Sequence, residues 1–211
     1  MAMEKKSKRR VRIDPRSIDT LVLDLDGTIA RQVTIELVLR SIPKNAFNSS
    51  FWFWLFRCGL SYLLHGKRNQ GALWAEHLKN GYNIWVPEKQ AFFNRRALRY
   101  VRRKLFDYKN ATKILVTRTI PEIAEPFAEY FELDEVFTVR NKTNPEFIEG
   151  LGKYVKGNVL VVGDSQDDYE LALKLTSLVP EAEIYFAENL DRSSCLLSSY
   201  QSIQPALTHS R

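Results

Sequence analysis

Residues Leu21–Ile29 read LVLDLDGTI, and the rest of the chain is arranged around them. Leu21, Val22, Leu23, Leu25 and Ile29 are apolar. A nearly continuous apolar run of this length, holding a β-branched residue, is the pattern of a strand buried on both faces of a parallel sheet. Asp24 then falls at the carboxyl end of that strand, where open α/β sheets place their chemistry. Gly27 allows a sharp turn beyond it, and the Thr28 hydroxyl is expected to hold that turn. Asp24 and Asp26 can both face one site once the strand breaks. Two unpaired carboxylates there repel, so the arrangement calls for a bound cation or a proton on one of them.

From Ala111 onward, strand and helix patterns alternate. Lys113–Thr117 (KILVT) and Asn158–Val162 (NVLVV) read as buried strands, with shorter ones at Glu135–Val139 and Glu183–Ala187. A helix is expected over 121–131, opened by Pro121 with Glu122 in its first turn. A second starts at Asn144-Pro145, with Asn144 as N-cap, and runs to Val155. A third covers Asp167–Ser177, with Asp167 as a candidate cap. Five strands alternating with helices predict an α/β fold, a doubly wound and mainly five-stranded parallel sheet.

The stretch between the first two strands has a different character. Residues 33–42 place Ile35, Val38, Leu39 and Ile42 on one helical face. Phe51–Leu64 reads FWFWLFRCGLSYLL, too short to cross a bilayer and carrying Arg57 in its middle. A helix apolar all round is either buried or lies against a membrane, and burial within a small all-helical cap or a subunit contact is the preferred expectation. A further helical segment spans Ala72–Gly81. Residues 88–106 form a helix with Ala91, Leu98, Val101 and Leu105 along one stripe. Its other faces carry Arg95, Arg96, Arg99, Arg102, Arg103 and Lys104, read as a solvated face. Aromatic residues do not alternate with them as a base-stacking surface requires, so nucleic acid is not the expected partner. The expected organisation is a basic arm over 1–16, a core over 17–30 and 87–190, a helical cap over 31–86, and a flexible tail over 191–211.

Charge follows this division. Residues 1–16 hold seven basic and two acidic side chains, and residues 31–108 hold fourteen basic and four acidic ones. The remaining stretches hold ten basic and nineteen acidic ones, leaving a net charge of +6 for the chain. An acidic half with a cation site beneath a basic half suits an anionic substrate approaching a metal. Cys58 and Cys195 lie far apart, with no metal-ligand spacing and no disulfide framework. A reducing compartment follows as the expectation, cytoplasmic and peripheral to a membrane if Phe51–Leu64 and the basic arm reach one. The arm is not followed by an apolar stretch of signal-peptide length, so no secretory signal is read there.

Three further pieces accompany Asp24. Thr117 ends its own buried strand. Lys142 precedes the helix that leads into the strand Asn158–Val162, with Lys153 and Lys156 as less favoured alternatives. Gly163-Asp164-Ser165-Gln166-Asp167-Asp168 follows that strand. Taken in order, DxDGT, Thr, Lys and GDxxxD resemble the haloacid dehalogenase (HAD) superfamily, by motif over 20–30 and 109–190 and only by position over the cap.

That resemblance implies roles for each residue. Asp24 would attack phosphorus and carry an aspartyl-phosphate, while Asp26 would protonate the leaving group and later activate water. Thr117 and Lys142 would hold the phosphoryl oxygens, with Arg118 a further substrate-binding residue. Asp24, Asp164 and the backbone carbonyl of Asp26 would ligate Mg²⁺. Asp168 would orient Lys142 or complete the metal's outer shell, and Gly163 would allow close backbone approach. Dehalogenases of the family lack the second acid, so Asp26 implies phosphoryl transfer. The implied function is a Mg²⁺-dependent phosphatase acting on a small phosphorylated substrate. The aromatic run followed by Gly-Lys-Arg is similar to HAD-like domains fused to UbiA-type prenyltransferases, which implies an amphiphilic phosphate. The alternatives are a phosphomutase of the same fold, or a non-enzymatic protein binding membrane or nucleic acid through 1–16 and 88–104.

Overall fold

The computed structural model describes residues 10–11, 13–30, 42–65, 96–119, 121–190 and 194–196. The helix expected over 33–42, apart from Ile42, the segment Ala72–Gly81 and the start of the helix over 88–106 lie outside them. In chain order the elements are β1 (Arg10–Val11), β2 (Thr20–Leu23), α1 (Ser49–His65), α2 (Arg96–Phe106), β3 (Thr112–Thr117), α3 (Pro121–Phe131), β4 (Glu135–Thr138), α4 (Pro145–Gly152), β5 (Val159–Val162), α5 (Gln166–Leu178), β6 (Ile184–Ala187) and β7 (Ser194–Leu196).

The sheet runs β1-β7-β6-β5-β2-β3-β4. Its five strands β6, β5, β2, β3 and β4 are mutually parallel, giving the α/β core that the alternating pattern predicts. All four residues of β2 and of β5 are buried, as central strands covered on both faces must be. Successive side chains point to opposite faces, so Leu21 and Leu23 enter one apolar layer and Val22 the other. The first layer is closed by α2 and α3 through Leu98, Leu105, Ile123 and Phe127. The second is closed by α4 and α5 through Ile148, Leu151, Leu171 and Leu175.

Two additions lie outside the expected five strands. β7 pairs antiparallel with β6, and β1 antiparallel with β7, so residues 194–196 of the segment expected to be a flexible tail form a strand. Arg10–Val11 of the basic arm likewise joins the sheet. Pairings of two or three residues leave no periodicity for a sequence reading to detect. The helix begun at Asn144 stops at Gly152 rather than Val155, although Asn144 does cap it by accepting from the Glu146 N–H.

The stretch expected to form a cap is described only over residues 42–65, where α1 buries Phe51, Trp54 and Cys58 with Ile42 and Leu55 against them. Its other side is open, with Phe53, Phe56, Leu63 and Leu64 exposed. The aromatic helix thus has one buried and one exposed face. Burial pushes the Cys58 thiol up to about 11, so it is an inert packing residue.

Candidate active site

Topology selects the site before any side chain does. From β2 the chain winds through β3 and β4 on one side, then through β5 and β6 on the other. The carboxyl ends of β2 and β5 thus flank the point where winding reverses, the crevice in which open α/β sheets bind ligands. Asp24 leaves β2 there with its N–H donating to Val162 O at 3.0 Å, and Asp164 follows β5.

The turn after Asp24 is made by the backbone. Gly27 N–H donates to Ala30 O at 2.7 Å, while the Ile29 and Ala30 N–H groups donate to Leu25 O at 3.2 and 2.9 Å. Gly27 has φ +89°, and a Cβ there would sit 2.1 Å from Asp164 Oδ2, so only glycine allows the turn to nest against that carboxylate. The Thr28 hydroxyl does not hold the turn as expected, because its oxygen is buried without a hydrogen-bond partner. The half-buried Asp26 bridges to Ala30 within the same turn.

Lys142 is buried, and its ammonium donates to Asp24 Oδ1 and to Asp168 Oδ1, each at 2.6 Å. Of the three candidate lysines this one lies in the site. Lys153 is exposed at the C-cap of α4. Lys156 hydrogen-bonds through its backbone to Thr20, at the opposite end of β2 from Asp24.

Asp168 is held from two sides. Its Oδ2 accepts from Ser165 N–H at 3.1 Å and from Ser165 Oγ at 2.5 Å, while Ser165 Oγ accepts from the Asp168 N–H. This reciprocal capping box opens α5. Ser165, not Asp167, is therefore the cap, and the S-x-x-D spacing was the signal for it. A Cβ on Gly163 would meet the Asp168 side chain at 2.4 Å, so Gly163 makes the room in which Asp168 lies.

Thr117 is buried two residues past the Leu23–Leu115 pairing, level with the turn that follows Asp24, and its oxygen accepts from Thr119 N–H at 3.3 Å. Thr119 brings a second buried hydroxyl without a hydrogen-bond partner, a residue the sequence reading passed over. Arg118 pairs with Asp167. Because β2 lies between β3 and β5, this ion pair reaches across the end of the strand that carries Asp24.

Carboxylates gather at the strand ends. Among the described residues, Asp24, Asp164 and Asp168 form a group whose carboxylate oxygens lie within 4.8 Å of one another. The Lys142 ammonium contacts two of these carboxylates, Asp24 and Asp168. Burial pushes Asp24 up to about 7, Lys142 pulls against that rise, and Asp168 and Asp26 add to it. Burial alone would lower Lys142, but Asp24 and Asp168 outweigh it and hold the ammonium above its ordinary value. A divalent cation fits this donor set, since carboxylate oxygens are hard ligands and three of them lie close enough to share one ion. Asp24 and exposed Asp164 would hold it. Asp168 already accepts from Lys142 and twice from Ser165, and so is a positioning residue.

No protein-family model matches the chain, and no curated protein matches it in sequence. Among solved structures it is similar to a dehalogenase, at 15% identity and TM-score 0.43, covering 75% of this chain and 82% of that one. It is also similar to the HAD domain of the effector protein Lem4 from Legionella pneumophila, at 12% identity and TM-score 0.40, covering 83% and 88%. Identities and superposition scores this low assign neither family nor activity.

Proposed function

We propose that this chain is a Mg²⁺-dependent phosphatase that hydrolyses a phosphate monoester through an aspartyl-phosphate on Asp24. The observation that carries the reading is the buried Lys142 ammonium shared between Asp24 and Asp168, beside Asp164, where the sheet reverses its winding. The order of motifs resembling the HAD superfamily supports the same reading.

The chemistry follows from charge. A phosphate monoester repels an incoming carboxylate, so the anion must be gathered by positive charge and hydrogen-bond donors. Bound Mg²⁺ would supply part of that charge, on Asp24, Asp164 and the Asp26 carbonyl. Lys142 supplies the rest, and the Thr117 hydroxyl donates to a phosphoryl oxygen. An Asp24 carboxylate oxygen forms a bond to phosphorus as the ester P–O bond breaks. Asp26 gives its proton to the departing oxygen, then accepts one from the water that attacks the aspartyl-phosphate. Inorganic phosphate leaves and Asp24 is restored. Two widely spaced cysteines and Mg²⁺ dependence suit a reducing, cytoplasmic setting.

A panel of phosphate esters assayed with Mg²⁺ and with EDTA tests this. Release of inorganic phosphate that EDTA abolishes and Mg²⁺ restores is the expected result. Phosphate retained on an isomerised product would make the chain a mutase instead. Absence of turnover across the panel with Mg²⁺ present would count against an enzyme of this kind.

A further inference from the structure

Helix α1 (Ser49–His65) has two apolar faces, of which the described residues cover one. At about 3.6 residues per turn, Phe51, Trp54 and Cys58 share the buried side. Trp52, Phe56, Leu60 and Leu63 recur at helical spacing on the opposite side, with Phe53 and Leu64 flanking them. Phe56 is 67% exposed, Leu63 81% and Leu64 69%, a continuous apolar face of the kind that marks an interaction surface.

The length and charge of the segment choose the occupant. No helix among the described residues is long and apolar enough to cross a membrane, so the face can only lie along a surface. Residues 37–75 contain no Asp or Glu, whereas Arg40, Lys44, Arg57, Lys67 and Arg68 are basic. A second copy of the helix would set like charge against like charge. Anionic headgroups would instead neutralise it while their acyl chains receive the rings. Trp52 fits this role, because its indole N–H already donates to Ala46 O at 2.9 Å and its ring can enter an apolar phase without losing a hydrogen bond.

We infer that α1 is an in-plane membrane helix, seated through Trp52, Phe53, Phe56, Leu60, Leu63 and Leu64 on a bilayer surface rich in anionic lipid. This inference stands apart from the proposed phosphatase activity.

The test is cosedimentation of the full chain with vesicles of phosphatidylcholine alone and of phosphatidylcholine mixed with phosphatidylglycerol. Binding to the mixed vesicles, weakened by added salt, is the expected result. Phe53→Ser with Phe56→Ser should lower that partition roughly tenfold or more at an unchanged melting temperature, since both rings are exposed. Arg57→Gln, which leaves every apolar contact in place, should weaken it about fivefold. Equal binding to neutral vesicles, or full binding by the double variant, would overturn the inference. So would a lowered melting temperature of the double variant, which would place the rings in the protein's own packing. A doubled mass in solution that the same substitutions abolish would assign the face to a second copy.

Discussion

The Lys142 ammonium lies 2.6 Å from Asp24 Oδ1 and 2.6 Å from Asp168 Oδ1, so one buried cation ties the exit of β2 to the first turn of α5. These parts come from opposite ends of the sequence. Their joining makes the charge of the site a property of the whole sheet rather than of one motif.

Lys142→Met removes the ammonium that pairs with Asp24 and Asp168, two of three carboxylates that lie within 4.8 Å of one another. Breaking a buried ionic group by deleting one partner costs about 3–5 kcal/mol, and a loss of that order is expected in EDTA. Mg²⁺ should restore more stability to the variant than to the parent protein, because it replaces the missing charge. Thermal melting with and without Mg²⁺ checks this. Equal melting of the two proteins in EDTA would show that Lys142 does not hold the cluster.

Asp24→Asn should abolish turnover, since the amide can neither attack phosphorus nor bind a cation well. Its stability should depend on pH in a defined direction. The Asp24 carboxyl rises from 3.8 to about 7, burial being the main cause, so the folded state favours its protonated form. That contribution is complete below about pH 4 and is lost as pH rises through about 7. Lys142, held above 10.5, stays charged across the window. In EDTA the Asn variant should therefore match the parent near pH 4 and become the more stable protein by pH 8. Mg²⁺ should shrink that advantage by favouring the ionised carboxylate. Melting curves across this range that run parallel for the two proteins would contradict the charge reading.

Asp26→Asn should leave metal-dependent stabilisation largely in place, because only its backbone carbonyl is assigned to the cation. Proton transfer contributes about 10²–10⁴-fold to such reactions, so esters with poor leaving groups should lose most. The ratio of rates for an alkyl and a nitrophenyl phosphate is the measurement. An equal loss for both, with phosphoryl transfer still limiting, would remove Asp26 as the general acid.

How much of this was legible in the sequence depended on the range of the signal. Buried strands such as β2 and β5 announce themselves by continuous apolar runs, and their carboxyl ends place Asp24 and Asp164 without further information. The proximity of Lys142 to Asp24 was anticipated only through the resemblance of motif order, because residues 118 positions apart meet through the sheet. Ser165 is legible through its S-x-x-D spacing, although the nearby Asp167 offers an equally familiar cap. The Arg118–Asp167 pair was not legible at all, since it depends on β2 lying between β3 and β5. Strands β1 and β7 were too short for any periodicity. In α1 an aromatic run concealed two faces, because composition alone does not separate a covered stripe from an open one.

Trp52 and Trp54, adjacent but one in the aromatic run, should therefore behave differently. Trp54 is 2% exposed and packs with Phe51 at a ring separation of 5.6 Å, in a cluster completed by Cys58. Trp54→Ser should cost about 3–5 kcal/mol, which a cluster this small has little packing to offset. Trp52 is 44% exposed, and its loss removes one hydrogen bond to Ala46 O and an edge-on contact with Phe51, a smaller change of about 1–2 kcal/mol. Limited proteolysis near α1, read beside thermal melting, should show early cleavage for Trp54→Ser and parent-like resistance for Trp52→Ser. Under the proposed chemistry both variants should still hydrolyse a small soluble ester, because Asp24, Asp26, Thr117, Lys142 and Asp164 stand on the sheet core. Equal destabilisation by the two substitutions would mean that both indoles are packed, and that α1 is covered on both sides.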